Sequence, residues 1–354
     1  MKSRRKKILV LSLQKKSLSI YGQNVLTSFN SDEYDIYFSA DSETQYQGKN
    51  AYPLRSYHSK IQFLILTAFY MPFSILISLR KFSRNYHTLF APTDGLWNIF
   101  FVLAFLLLRK NIVITVHDAR RHLGIENILL TKLTNFIRRR AHHLIFLTKD
   151  QQNILYEDLG LTQPYSIIPL GLFELSGVKP KSRHTTKNIL FTGRIAKYKG
   201  VDILLEAAEN IEEKYDKLVV AGEQLTEIKN TTSSKIEIID DFISNDQLVK
   251  LLNQTDLMVL PYLEASQSGV LTLGINSEIP MICSRVNGLA EQLTEDECIF
   301  VPPGDATALA DAITLIFSNT QKYYSIKEAL KDKKNKMSWE NISLEFLAIL
   351  RAYN

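Results

Sequence analysis

Metal-ligand and redox spacings are missing from this chain of 354 residues. Its two cysteines, Cys283 and Cys298, and its seven histidines form no zinc or thiol–disulfide pattern. That excludes a disulfide-stapled or zinc-held module and fits reduced, buried thiols in a cytosolic protein. No Asp-x-Asp occurs, so a divalent cation has no obvious carboxylate pair with which to meet a diphosphate. Glycine is scarce after the first predicted strand: only Gly22 lies between Gln14 and Val25, and the glycine-rich turn of many nucleotide-binding folds is lacking there. There is no internal repeat and no low-complexity segment. With 45% apolar and 22% charged residues the composition is that of a folded protein, not a disordered one. The start, MKSRRKKILVLSL, has too short an apolar run for a signal peptide and reads as a strand behind a charged tail.

What is present alternates. Strand candidates at Ile8–Leu13, Tyr34–Phe38, Thr88–Ala91, Asn111–Val116 and Leu144–Leu147 are separated by helical patterns, with Thr148 a plausible N-cap for the last of these. Ser166–Pro169 closes this series. After a polar, unpatterned stretch at Gly177–Thr186, a second series runs through Ile189–Phe191, Leu218–Val220, Ile236–Ile238, Leu257–Leu260, Met281–Cys283 and Cys298–Val301. Strand–helix alternation in two blocks predicts two doubly wound α/β domains.

Two loops carry the chemistry. The strand Ile189–Phe191 ends on Thr192-Gly193 and is followed by Arg194, then by Lys199-Gly200 just before a helix with Val201, Leu204, Leu205 and Ala208 on one face. Fixed cations beside free amides at a helix start suit a phosphate, although two ordinary solvated cations would read the same way. The strand Leu257–Leu260 stops at Pro261, presents Glu264, and runs through Ser266-Gln267-Ser268-Gly269 into a helix beginning near Val270. Small residues there expose amides, and a carboxylate accepts hydroxyl bonds. Together the loops describe a pocket for a sugar linked to a nucleotide diphosphate.

Taken in order, TGRIAKYKG, VVAGE (Val219–Glu223), IDDFISNDQLVKLLNQTDLMVLPY, EASQSGV and SWENISLEFLAIL, with TVHDARRHLG (Thr115–Gly124) and IPLGL (Ile168–Leu172) upstream, resemble the GT-B glycosyltransferases of the retaining family 4 group. The resemblance is dense from about residue 86 onward. It implies an α/β GT-B fold of two doubly wound Rossmann-like domains facing across a cleft. Residues 1–172 would bind acceptor, 173–187 link, 188–337 bind the nucleotide sugar, and 338–354 form a helix packing back on the first domain. It implies transfer with retention and no metal or other cofactor. Arg194 and Lys199 would neutralise the leaving diphosphate, Glu264 would hold the sugar, and His117 would touch it. Gly193, Asp241, Phe242, Ile243, Ser266, Gln267, Ser268 and Gly269 would line the nucleotide side. Outside the family, His117-Asp118 could equally cap a turn; His122 and Gly124 share the loop with softer roles. His142-His143, beside Arg138-Arg139-Arg140, read as a basic helix end. One departure stands out: a second glutamate is expected shortly after the first, where Thr272 or Leu273 lies. A non-catalytic sugar-nucleotide-binding subunit, or another GT-B enzyme such as an epimerase, would also fit.

Charge and hydropathy bear on the acceptor. Residues 1–172 hold 22 Lys and Arg against 11 Asp and Glu, hence +11; the remainder is −6, from a total of +5. No nucleic-acid recognition motif occurs, so an anionic membrane surface is the better partner for the basic half. A lipid-linked saccharide acceptor, and a place on the cytoplasmic face of the cell membrane in cell-surface polysaccharide synthesis, follow as expectations. Ile61–Leu79 is free of charge over 19 residues. On a helix its polar residues Thr67, Ser74 and Ser78 align with Lys60 and Lys81, and Pro72 threatens a kink. A buried helix is favoured, then an interfacial one, then a span. Leu96–Leu108 is shorter and reads as core.

Overall fold

The computed structural model describes residues 7–14, 17–30, 32–40, 46, 49–55, 57–120, 128–179 and 186–353. His122, Gly124, the charged start and the 180–185 stretch of the polar linker lie outside the described residues. The chain forms two compact units, Met1–Pro169 with Trp339–Asn354, and Leu170–Ser338.

In the first unit the strands are β1 (Lys7–Ser12), β2 (Tyr34–Ser39), β3 (Ala51–Leu54), β4 (Tyr86–Ala91), β5 (Asn111–Val116), β6 (His143–Phe146) and β7 (Tyr165–Ile167). They pair in the order β3-β2-β1-β4-β5-β6-β7, all parallel. A parallel sheet covered on both faces needs continuous apolar strands. Leu9, Val10 and Leu11 in β1 and Ile112, Val113 and Ile114 in β5 are fully buried. Strand β3 escaped the sequence reading because Pro53 sits inside it; a proline is tolerated there because β3 is an edge strand.

The second unit contains β8 (Asn188–Thr192), β9 (Lys217–Ala221), β10 (Ile236–Ile239), β11 (Leu257–Leu260), β12 (Met281–Ser284) and β13 (Ile299–Val301). Their order is β10-β9-β8-β11-β12-β13, again all parallel. Strand order reverses between β8 and β11, the switch point where doubly wound sheets open a crevice.

The expectation of a buried helix over 61–79 is overturned. Lys60–Ile65, a π-helical turn at Leu66–Tyr70 and Met71–Asn85 follow one another without a break, and Pro72 falls in the first turn of the last piece. The polar stripe faces the domain: Trp97 Nε1 donates to Thr67 Oγ1 at 2.9 Å, and Lys81 Nζ donates to Tyr37 OH at 3.1 Å. Burying those polar atoms against partners turns the broad apolar face outward. Ile61, Phe69 and Phe73 are 73%, 73% and 65% exposed. The helix Asn98–Leu107 is core on one side, but its Leu103 and Leu107 are exposed.

The last helix, Trp339–Ala352, packs on the first unit. Phe346 is fully buried and meets Phe90 of β4, with ring centres 5.8 Å apart. Ser343 is fully buried; its Oγ donates to Val25 O at 2.6 Å and accepts from Ser28 N at 2.9 Å. A buried carbonyl and amide stripped of their partner cost about 1–3 kcal/mol. Ser343→Ala is expected to lower unfolding stability by about that much, read as a shifted urea midpoint at unchanged slope.

Candidate active site

At the switch point of the second unit, the loop after β8 and the loop after β11 are built as one surface. Gly200 adopts φ +65°, and a Cβ there would stand 2.0 Å from the carbonyl oxygen of Pro261. Leu263 N donates to Tyr198 O at 2.8 Å. Lys199 Nζ lies 3.6 Å from the centre of the Tyr262 ring, and Tyr262 OH is 3.3 Å from Ser268 Oγ. A Cβ on Gly193, at φ +114°, would stand 3.3 Å from Val270 Cγ2. Arg194 and Lys199 therefore share a neighbourhood with Glu264 and with the Ser266–Gly269 turn.

Each member is held for a reason. Ser268 caps the helix Gly269–Ser277, accepting from Leu271 N at 3.3 Å, while the amides of the first turn have no partner within the helix. A Cβ on Gly269 would meet nothing, so space is open beside those amides. Ser266 is buried, Glu264 half-buried and Arg194 exposed. Gln267 Oε1 is buried without a hydrogen-bond partner. Lys199 is pushed down to about 7, chiefly by burial and then by the neighbouring Arg194. Its ammonium is thus poised to gain from any anion that enters.

Other predicted residues lie elsewhere. Asp241, Phe242 and Ile243 follow β10 at the sheet edge, with β9 between them and β8, and Phe242 is 70% exposed. Two backbone bonds, Ile195 N to Glu223 O at 2.9 Å and Leu225 N to Ile195 O at 2.8 Å, tie the loop after β9 to the Arg194 loop. Gln224 N in turn donates to Asp240 Oδ1 at 2.7 Å. Thr272, one of the two candidate positions for the expected second glutamate, is fully buried; its Oγ1 donates to Gly269 O at 2.8 Å and accepts from Phe173 N at 3.1 Å. Its hydroxyl is committed to packing the unit.

His117 belongs to the first unit and follows β5. Its Nε2 is 3.0 Å from Pro92 O, and because a carbonyl only accepts, Nε2 carries the proton in the neutral ring. Nδ1 is then a bare lone pair, buried and without a partner. The Tyr21 ring meets the imidazole edge-on at 4.5 Å. Arg138, read from sequence as part of a basic helix end, clamps this loop instead. It donates to Asp118 O at 2.7 Å and Ala119 O at 3.0 Å, and pairs through Nε with Asp94 at 2.9 Å. Gln151 Oε1 accepts from Ala119 N at 2.6 Å. Arg138 lies 44 residues from Asp94, and no spacing signals the pair. His143 bonds Ser166 and Tyr353 and is structural. Among the described residues no group of three or more His, Cys, Asp or Glu gathers to hold a metal.

Two parallel doubly wound sheets, with a cationic loop and a helix N-terminus at the switch point of the second, define the GT-B class of glycosyltransferase folds. Residues 186–319 match the family described as Glycosyl transferases group 1. An uncharacterized glycosyltransferase of Methanocaldococcus jannaschii is 28% identical over 174 residues, 47% of this chain and 45% of that protein. A Bacillus subtilis protein provisionally named a teichuronic acid biosynthesis glycosyltransferase is 30% identical over 125 residues, 35% of this chain and 31% of that protein. The matches thus span less than half the length of these relatives. Anabaena HepE, solved with UDP-glucose, aligns with a TM-score of 0.74 over 98% of this chain and 100% of its own, at 14% identity. That likeness is one of fold.

Two consequences are measurable. Gly200→Ala combines a left-handed backbone with a collision against the Pro261 carbonyl; it should destabilise the second unit by about 2 kcal/mol or more, seen as a lowered melting temperature. Lys199 has a folded-state value near 7 against 10.5 when unfolded, so the unfolded chain holds the extra proton between these values. Stability therefore rises as pH climbs from about 7 towards the ordinary lysine range, and the cost of the buried charge is complete below about 7. Lys199→Met should raise the melting temperature at pH 6, with the advantage shrinking by pH 10.

Proposed function

We propose that the chain is a metal-independent, retaining glycosyltransferase that moves a sugar from a nucleotide diphosphate to a saccharide acceptor. The reading rests on one observation: the Arg194–Lys199 loop and the Ser266–Gly269 turn are joined at the switch point, through Gly200 on Pro261 and Lys199 on Tyr262. Arg194, Lys199 and the amides of Gly269 and Val270 would meet the diphosphate and stabilise charge developing on it as the glycosidic bond breaks. Glu264 would accept hydroxyls of the sugar. Gly193 would let the ligand approach bare backbone. Asp241, Phe242 and Ile243 would offer backbone to the nucleoside, in place of a ribose-binding carboxylate that neither Thr272 nor Leu273 supplies. A leaving-group oxygen would take the acceptor proton on the same face, giving retention. The basic first unit favours a lipid-linked acceptor at the cytoplasmic face of the membrane, in cell-surface polysaccharide synthesis.

Purified protein with candidate sugar nucleotides and lipid-linked acceptors should give transfer, or slow donor hydrolysis without acceptor. Absence of both transfer and donor hydrolysis would refute the assignment. Arg194→Ala and Glu264→Ala should each lower the rate by about 100-fold or more. UDP binding at pH 8 should take up a proton as Lys199 charges, seen as a calorimetric enthalpy that varies with the buffer. Lys199→Met should abolish that uptake and weaken UDP by about 10- to 100-fold.

The internal bonding of Thr272 favours a second reading, a sugar-nucleotide-binding subunit without catalysis. Unchanged pathway output in cells carrying Arg194→Ala with Glu264→Ala would select it.

A further inference from the structure

Among the described residues, the helical segment Ile61–Asn85 is the one helix long and apolar enough to cross a membrane. It runs 25 residues at a mean hydropathy of 1.8 over its most apolar window, and only 11% of that window is buried. Ile61, Leu64, Ile65, Phe69, Phe73, Leu76 and Ile77, spaced by one, three or four along the helix, are all more than half exposed. Scattered exposed apolar residues need no explanation; a continuous ridge of this kind does. On the neighbouring helix Asn98–Leu107, Leu103 and Leu107 are exposed as well, 46% and 72%.

The inner side of the segment fixes how it can be used. Leu66, Met71 and Phe82 are buried in the unit. The Trp97–Thr67 and Lys81–Tyr37 bonds pin it near both ends, and Lys81 Nζ also lies 3.9 Å from the Tyr52 ring centre. A helix crossing the bilayer would have to abandon all of these. Held in place, it presents its apolar ridge along its length and is suited to lie flat in an interface.

The charges around the ridge select the occupant. From Glu43 to Asp94 the sequence holds no acidic residue between them, but Lys49, Arg55, Lys60, Arg80, Lys81 and Arg84. Arg80 and Arg84 are exposed at the C-terminal end of the ridge. At its other end a cavity of about 340 Å³ is lined by Tyr57, His58, Ser59 and Phe63. The Phe63 ring stacks on Trp97 at 6.1 Å and 3°, and Tyr57 meets both edge-on. Aromatic rings with polar tips are what settle at head-group level. An apolar ridge in a stretch of sequence whose charges are all basic, with Arg80 and Arg84 exposed at one end, fits anionic lipid, not a second basic copy of this unit.

We propose that Ile61–Asn85 is a monotopic membrane-docking helix. It lies in the plane of an anionic bilayer, with Phe69, Phe73 and Ile77 in the acyl boundary, Arg80 and Arg84 on lipid phosphates, and the aromatic cavity facing the head-group layer. The proposal names the surface behind the membrane-facing part of the functional reading and relies on that reading only for why docking is useful.

The test is flotation of the full chain with vesicles of equal parts phosphatidylcholine and phosphatidylglycerol, against phosphatidylcholine alone, without nucleotide. Protein should float with the anionic vesicles and far less with the neutral ones. Phe69→Ser with Phe73→Ser, both at exposed positions, should cut partitioning by at least about tenfold. Arg80→Gln with Arg84→Gln should reduce it mainly at low salt. Failure of the parent protein to float overturns the proposal. So does resistance to alkaline carbonate extraction from cell membranes, which marks a span. A dimer in solution that the Phe69, Phe73 variant splits while floating as before also overturns it and assigns the ridge to a second copy. UDP binding by calorimetry on the same variants should be unchanged; loss of binding in the parent protein counts against the glycosyltransferase reading and leaves the flotation result standing.

Discussion

The close approach of Gly200 to the carbonyl of Pro261 is the constraint on which the candidate site depends. One loop carries the cations and the other carries the amides, and each comes from a different strand. Only a residue without a Cβ lets them meet at this distance. Gly222 repeats the device one strand over, where a Cβ would stand 2.0 Å from the carbonyl of Gly193. Glycine here shapes the wall of a site, not a flexible hinge.

The cation-bearing loop shows how burial and function pull in opposite directions. Lys199 is held over the Tyr262 ring, an attraction that favours its charged form, yet burial beside Arg194 lowers its proton affinity. The fold keeps a group that weakens it when empty. Such a cost is typical of residues retained for a ligand.

Both parallel sheets could be read from the sequence because their strands are unbroken apolar runs and their helices have clear periods. The Arg194 and Ser266–Gly269 loops were legible for the same reason: each follows a strand that could be placed. Strand β3 was hidden by Pro53. The outward face of the 61–85 helix was hidden because periodicity shows that two faces differ, not which of them meets the domain; that depended on Trp97 and Tyr37, distant in sequence. Arg138 was invisible as a loop clamp because its partners, Asp94, Asp118 and Ala119, come together only in the folded sheet. The missing second glutamate at Thr272 or Leu273 was visible in the sequence, but the bond from Phe173 N to Thr272 needed coordinates.

The helix Trp339–Ala352 belongs to the unit whose first strand begins at Lys7. The segment Leu170–Ser338 is continuous in sequence, whereas the first unit draws its last helix from beyond it. Until Ser343 and Phe346 arrive, the Val25 carbonyl and the Phe90 ring lack their closing partners. The order of the fold is therefore not the order of the chain, because the first unit is closed by a segment that lies beyond the whole of the second.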